Sequence, residues 1–372
     1  MKRKSTLFWL AVALGCAVAG SVGAWVKYKQ PNLLLVWKPF ILTQHQFDYE
    51  LEFVKRGLVG EIFRLAGVPR TAAAVSIFSW AVLSLLALAI VRFHRRFSSM
   101  PDFGILSGPA IWLWATLLCP GTFLQAGGDL GRLDPVQLLL EITLLLTAMA
   151  AGWRWSVVAT VITLVGVATH ELFLLAQLPF VLGVHLFLGW HQPARRKELW
   201  TRGVMIAGAA AIAAGVIAAY GRMDTMPAKD YMAFLQDHRG MPQPSEEGIA
   251  VLYNSLGANI HYAWQQLANK APWRIPWVAV VMLAYLAIGL AAVRWEKRSM
   301  LLIAAGAIGP LLLLFLAYDY GRWFSFATIN VLLAVSVCQQ NNDVAVNWKP
   351  LRWTWGFALL GPFGVTIGFP WW

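Results

Sequence analysis

The 372-residue chain is 59% hydrophobic with only 13% charged residues, a balance that excludes an ordinary water-soluble globular domain. The formal net charge of +12 would point to nucleic acid in a soluble protein. Here Lys and Arg gather in short segments between apolar runs, so the charge records membrane orientation and no nucleic-acid partner is expected.

From the N-terminus, Lys2, Arg3 and Lys4 precede an apolar run at 7–26 that is long for a signal-peptide core and reads as a first span. Further apolar runs follow at 71–91, 104–121, 135–152, 156–170, 172–190, 203–220, 275–293, 300–318, 323–338 and 353–370. The fold expected is all-α, a polytopic integral membrane bundle of about eleven transmembrane helices forming one membrane domain over 1–372. A cytoplasmic N-terminus puts Arg92, Arg95, Arg96, Arg195, Arg196, Lys197, Arg202, Arg294, Lys297, Arg298, Lys349 and Arg352 in short inner loops, as the positive-inside rule requires. The two long loops, 27–70 and 221–274, then lie outside with most of the acids. Within the first, Leu33 to Leu42 is apolar but too short to span, which predicts an interfacial helix. Trp153, Trp155, Trp190, Trp295, Trp323 and Trp353 fall near span ends, where an indole suits the headgroup layer. Cys16, Cys119 and Cys338 show no CxxC or Cys/His spacing, so neither a disulfide framework nor a zinc site is expected.

On this topology the polar clusters emerge on the outer face. In the first loop, Asp48, Glu50 and Glu52 alternate with apolar residues before Lys55, Arg56 and Gly57. An acid there suits general-base work, and the alternative is a solvated segment whose acids pair with Lys55 and Arg56. Arg56-Gly57 with Gly60 suits a phosphate contact at close backbone approach. Next, 127–135 carries Asp129, Arg132 and Asp134 into a span at Pro135; Asp134 reads as its N-cap, and Asp129 and Arg132 have no such duty. Glu141, seven residues beyond Asp134, falls on the same helical face inside the apolar run, where a carboxylate is costly. His170-Glu171 breaks two apolar runs and reads equally as a functional pair, for proton transfer or as part of a metal site, or as a polar turn; His185 reads as a satisfied bundle histidine. Finally, Asp319-Tyr320-Gly321-Arg322 repeats the Asp-x-Gly-Arg spacing of Asp129 to Arg132. Such an Asp can hold an Arg fork toward phosphate oxygens.

An acid-rich first outer loop on a many-span scaffold resembles the membrane glycosyltransferases of the GT-C type. The Arg-Gly of the first loop, Gly131-Arg132-Leu133-Asp134 before a span, His170-Glu171 and Asp319-Tyr320-Gly321-Arg322-Trp323 resemble polytopic proteins of bacterial surface polysaccharide assembly, including O-antigen polymerase-like proteins. The resemblance implies a bacterial inner-membrane protein that transfers sugar from a polyprenyl-(di)phosphate-linked saccharide at the periplasmic face. Asp48 or Glu50 would then be the first-choice base and Asp129 the next. Arg56, Arg132 and Arg322 would hold the diphosphate, with Glu171 orienting His170 or both binding acceptor. A divalent cation is the candidate cofactor, and polysaccharide assembly proteins are candidate partners. The loop departs from the family pattern in having Asp48-Tyr49-Glu50 instead of a contiguous acidic pair. Two other readings stay open: a proton-coupled transporter or flippase using Glu141, His170 and Glu171, and a non-catalytic scaffold.

Overall fold

The computed structural model describes residues 2–28, 35–36, 38–97, 113–117, 119, 122–123, 125–270, 274–316, 320–339 and 353, and all regular elements among them are helical. In chain order they are α1 (Lys2–Tyr28), α2 (Pro39–His45), α3 (Leu58–Leu65), α4 (Ala72–Phe97), α5 (Gln125–Gly128), α6 (Asp134–Met149), α7 (Trp153–Thr169) and α8 (Phe173–Ala176). Then come α9 (Leu178–His191), α10 (Arg196–Tyr220), α11 (Ala228–Asp237), α12 (Glu246–Tyr253), α13 (Leu256–Lys270), α14 (Arg274–Ala292), α15 (Lys297–Leu312) and α16 (Tyr320–Gln339).

Four stretches are long and apolar enough to cross a bilayer by length and composition: Ala72–Phe97, Phe173–His191, Pro193–Tyr220 and Arg322–Gln339. Shorter apolar helices occupy Phe8–Gly23, Trp153–Thr169 and Leu283–Ala292. The expected number of spans is therefore met only in part among the described residues, and the runs at 104–121 and 353–370 lie mostly outside them. The shortfall in length has local causes. Gly152, at φ 104°, turns the chain between α6 and α7. His170 is extended and ends α7, and Pro310 interrupts the last turn of α15.

The helices pack as a bundle with α16 at its centre, 89% of its apolar window being buried against 17% for the stretch containing α10. α16 packs on α14 and α15, α9 on α10 and α15, α4 on α6, and α7 on both α6 and α10. At one end of α6 two arginines close its C-terminus. Arg202 donates to the carbonyls of Ala150 at 3.2 Å and Gly152 at 3.3 Å and to that of Thr147, while Arg195 donates to those of Ala148 and Ala150 at 3.2 and 2.8 Å. Carbonyls at a helix C-terminus are short of intrahelical donors, and cations complement the negative end of its dipole. Glu198 neutralises Arg202, which is fully buried, at 2.6 Å.

At the other end of α6 the 38–70 segment and the 221–254 segment fold against each other as a cap. Its small core is Phe47, Val54, Met223, Tyr231, Leu235, Ile249 and Leu252. Glu52 accepts the backbone N–H groups of Asp224 and Thr225, both at 3.0 Å, and Arg239 reaches Asp48 and Glu50. Residues 33–34 and 37 of the expected interfacial helix lie outside the described residues, and the helix of the first loop begins at Pro39, with Ile41, Thr43, Gln44 and His45 buried in the cap. Gly248 permits this: a Cβ there would stand 3.1 Å from Thr43 and 3.4 Å from the Phe40 carbonyl. Trp153, Trp295 and Trp353 are exposed as expected, whereas Trp323 is buried against Ala176, Leu313 and Phe326.

Candidate functional site

Where the cap meets the start of α6, the end of α7 and the start of α16, charged side chains from distant parts of the chain converge. Arg56, the last residue before α3's N-cap glycine, holds a left-handed backbone at φ 64°. A non-glycine residue in that region costs on the order of 1 kcal/mol or more, so the surrounding structure must enforce it. Its guanidinium grips Glu171 as a fork, Nε donating to the two carboxylate oxygens at 3.1 and 3.0 Å and Nη2 to Oε1 at 2.5 Å. Glu171 Oε2 lies 3.4 Å from His170 Nδ1, which also accepts the Leu172 backbone N–H at 3.2 Å.

A second fork stands beside the first. Arg322, at the start of α16, donates from Nε to Asp134 Oδ2 at 2.7 Å and from Nη2 to Oδ1. Asp134 is the first residue of α6 and its side chain caps no backbone N–H; the N-cap position is taken by Leu133. The N-cap expected for Asp134 is thus corrected: Arg322 draws the carboxylate away from its own helix terminus. Asp129, only 2% exposed, pairs with Lys38 at 3.4 Å and Arg132 at 3.5 Å. The Arg132 cation also lies over the Phe40 ring at 5.7 Å.

The electrostatics join these pairs into one field. Burial raises the cost of charge on Glu171, but Arg56 and His170 outweigh it and hold the carboxyl well below the usual carboxylate range. Burial likewise opposes the Asp134 charge, and Arg322, then Arg132 and His170, reverse it and lower that carboxyl. Burial, with Arg56 adding to it, pushes His170 down to about 4 despite Glu171, so the imidazole is neutral at pH 7. Lys55 is lowered by burial, partly restored by Glu171 and lowered further by Arg56 and Arg222. Lys38, Lys55, Arg56, Arg132 and Arg322 face Asp129, Asp134 and Glu171, a surplus of positive charge suited to an anion.

Arg56, Asp129, Arg132, His170, Glu171 and Arg322 are therefore neighbours, as their outer placement in sequence suggested, and Asp319 lies outside the described residues. Asp48 and Glu50 belong to a separate cluster. Asp48 is clamped by Arg70 and by both terminal nitrogens of Arg239, at 2.7 and 3.1 Å. Arg239 also binds Glu50, whose side chain is 49% exposed. Neither acid pairs with Lys55 or Arg56. Gly60 serves packing within the cap, since a Cβ there would stand 1.9 Å from the Phe47 carbonyl. Lys38 is the member that the sequence did not mark, and Asp134 and Lys55 were given other duties there. The signal that pointed to Asp134 was its position in Gly-Arg-x-Asp, where capping offered a simpler account.

Among the described residues no group of three or more His, Cys, Asp or Glu side chains is placed to hold a metal ion. No protein-family model, curated protein or solved structure matches the chain.

Proposed function

We propose that the chain is an integral membrane glycosyltransferase or polymerase of the bacterial inner membrane that uses a polyprenyl-(di)phosphate-linked sugar at the periplasmic face. The observation that carries this reading is the pair of arginine forks, Arg56 on Glu171 and Arg322 on Asp134, set beside His170 at one end of an apolar bundle. A planar guanidinium that grips a carboxylate can grip a phosphate in the same way. In the reaction, Arg56, Arg132 and Arg322 bind the diphosphate and stabilise the charge that grows on it as the sugar C1–O bond breaks. The acceptor hydroxyl forms the new glycosidic bond and gives its proton to a carboxylate.

Glu171 is the base favoured by this arrangement. It is 27% exposed in its side chain, whereas Asp129 is closed off and Asp48 is fully engaged by Arg70 and Arg239. When a diphosphate takes the Arg56 fork, Glu171 loses the partner that most depresses its basicity. His170 then positions the carboxylate.

The test is to reconstitute the protein in liposomes with a polyprenyl-diphosphate sugar and an acceptor and to analyse products by mass spectrometry. A new glycosidic bond is expected; passage of the lipid-linked sugar across the bilayer without one would replace the enzyme by a flippase. That second reading draws on one observation, the fully buried Glu141 inside α6.

A further inference from the structure

Below the surface forks, α6 carries a buried polar stripe that the transfer chemistry does not use. Asp134, Gln137 and Glu141 are spaced three and four residues apart, so they share one face of the helix. Seven residues of helix place Glu141 about 10.5 Å deeper than Asp134. Gln137 ties this face to the site: its Nε2 donates to the Gly166 carbonyl at 3.0 Å, the carbonyl that also accepts the His170 backbone N–H at 3.1 Å. The stripe therefore starts under both His170 and Asp134.

Its lower members are incompletely bonded. Gln137 Oε1 and both oxygens of Glu141 lack a hydrogen-bond partner among the described residues, and both side chains are buried. Gln177, at the α8–α9 break, leaves both amide atoms without one. A buried polar group is normally paired, and where protein supplies no partner the usual one is water or a bound ion. The titratable side chains on the helices against α6 are committed elsewhere or lie at other levels. His94 of α4 bonds Thr116 at 3.0 Å, His185 of α9 bonds the Val181 carbonyl at 2.8 Å through Nδ1 with its Nε2 unpartnered among the described residues, Arg92, Arg95 and Arg96 lie toward the C-terminal end of α4, His191 ends α9, and Arg154 stands in the first turn of α7. Nothing among these offsets a charge on Glu141.

We infer that Glu141 is a buried proton-binding site, reached by water along the Asp134 and Gln137 face from the surface site. A proton arriving at the His170 and Asp134 end passes through water to a Glu141 oxygen and returns by the same route; only O–H bonds are made and broken. The inference holds for a transferase and for a transporter, because it concerns the resting protein.

The test uses the full chain in lipid nanodiscs and reads the carboxylic-acid C=O stretch by infrared spectroscopy near neutral pH. Wild type is expected to show a protonated-carboxyl band that is missing from Glu141→Gln and displaced, not lost, in Glu141→Asp. In heavy water the band should shift, and Gln137→Leu should slow that shift by about tenfold through loss of the relay. No difference between wild type and Glu141→Gln overturns the proton site. A band that never shifts in heavy water overturns the water route. The measurement involves no sugar donor, so its failure is separate from any failure to detect transfer.

Discussion

Arg56 combines a backbone conformation that glycine adopts at little cost with a side chain that glycine does not have, and that side chain is held by Glu171. Arg56→Lys keeps the charge and loses the fork. Transfer is expected to fall by about 10²-fold or more, with the melting temperature nearly unchanged. Unaltered turnover would take Arg56 out of the site. Glu171→Gln should reduce kcat by roughly 10²–10⁴-fold if this carboxylate is the base, measured as product formed per enzyme in the liposome assay. If Glu171→Gln turns over normally, the base must be sought among Asp129 and Glu50.

Two imidazoles give the fold a pH dependence. Burial lowers His45 from an ordinary 6.5 to about 4, against the pull of the Gly131 carbonyl that its ring bonds at 2.7 Å. His170 is lowered to about 4 as well. Between pH 6.5 and about 4 the unfolded chain thus binds protons that the native one refuses. Stability is full above the unfolded value and declines as pH falls through this window. Melting temperatures across the range should show the decline, and His45→Asn should lessen its slope across the whole window. A flat wild-type profile would mean that both rings stay exposed.

At the scale of elements, two kinds of contact hold the ends of helices in place. Arg202 is buried on the C-terminal carbonyls of α6, and Arg202→Ala would remove the nearest cation to Glu198, leaving Arg195 alone to serve that carboxylate and those carbonyls. A loss of about 3–5 kcal/mol is expected, read from thermal unfolding in detergent. At the opposite end, Gly60→Ala would force α3 off the Phe47 carbonyl and should lower the melting temperature, while Gly67→Ala has open space and only its positive φ to contend with. These anchors explain which parts of the fold were legible in sequence. Apolar runs marked the helices, and His170-Glu171 marked a real break, because both signals are local. Basic residues in the 195–202 segment were legible as a group, but not that Arg195 and Arg202 are caps, since their acceptors are carbonyls some fifty residues earlier.

For the whole molecule, the partners that define the site are far apart along the chain, which is why the sequence showed its members but not its pairings. Asp134 could be read as a cap because its neighbours allow it; Arg322, 188 residues away, decides otherwise. Asp48 offered itself as a base because Arg239, 191 residues on, was out of view. Arg239 also fastens one half of the cap to the other. In Arg239→Ala, hydrogen exchange should rise in both 46–57 and 228–254, and protection confined to one of them would show that the halves hold independently.

The two arginine forks have a consequence for biogenesis. Arg56 waits for Glu171, 115 residues later, and Asp134 for Arg322, 188 residues later. At about 5–20 residues synthesised per second, the second wait lasts roughly 10–40 s, during which the growing chain holds an unmatched carboxylate at the mouth of its own bundle. A ribosome that stalls before Arg322 leaves a copy that has α6 but cannot form the second fork. The ion pairs that shape the site can therefore all close only once translation has passed Arg322.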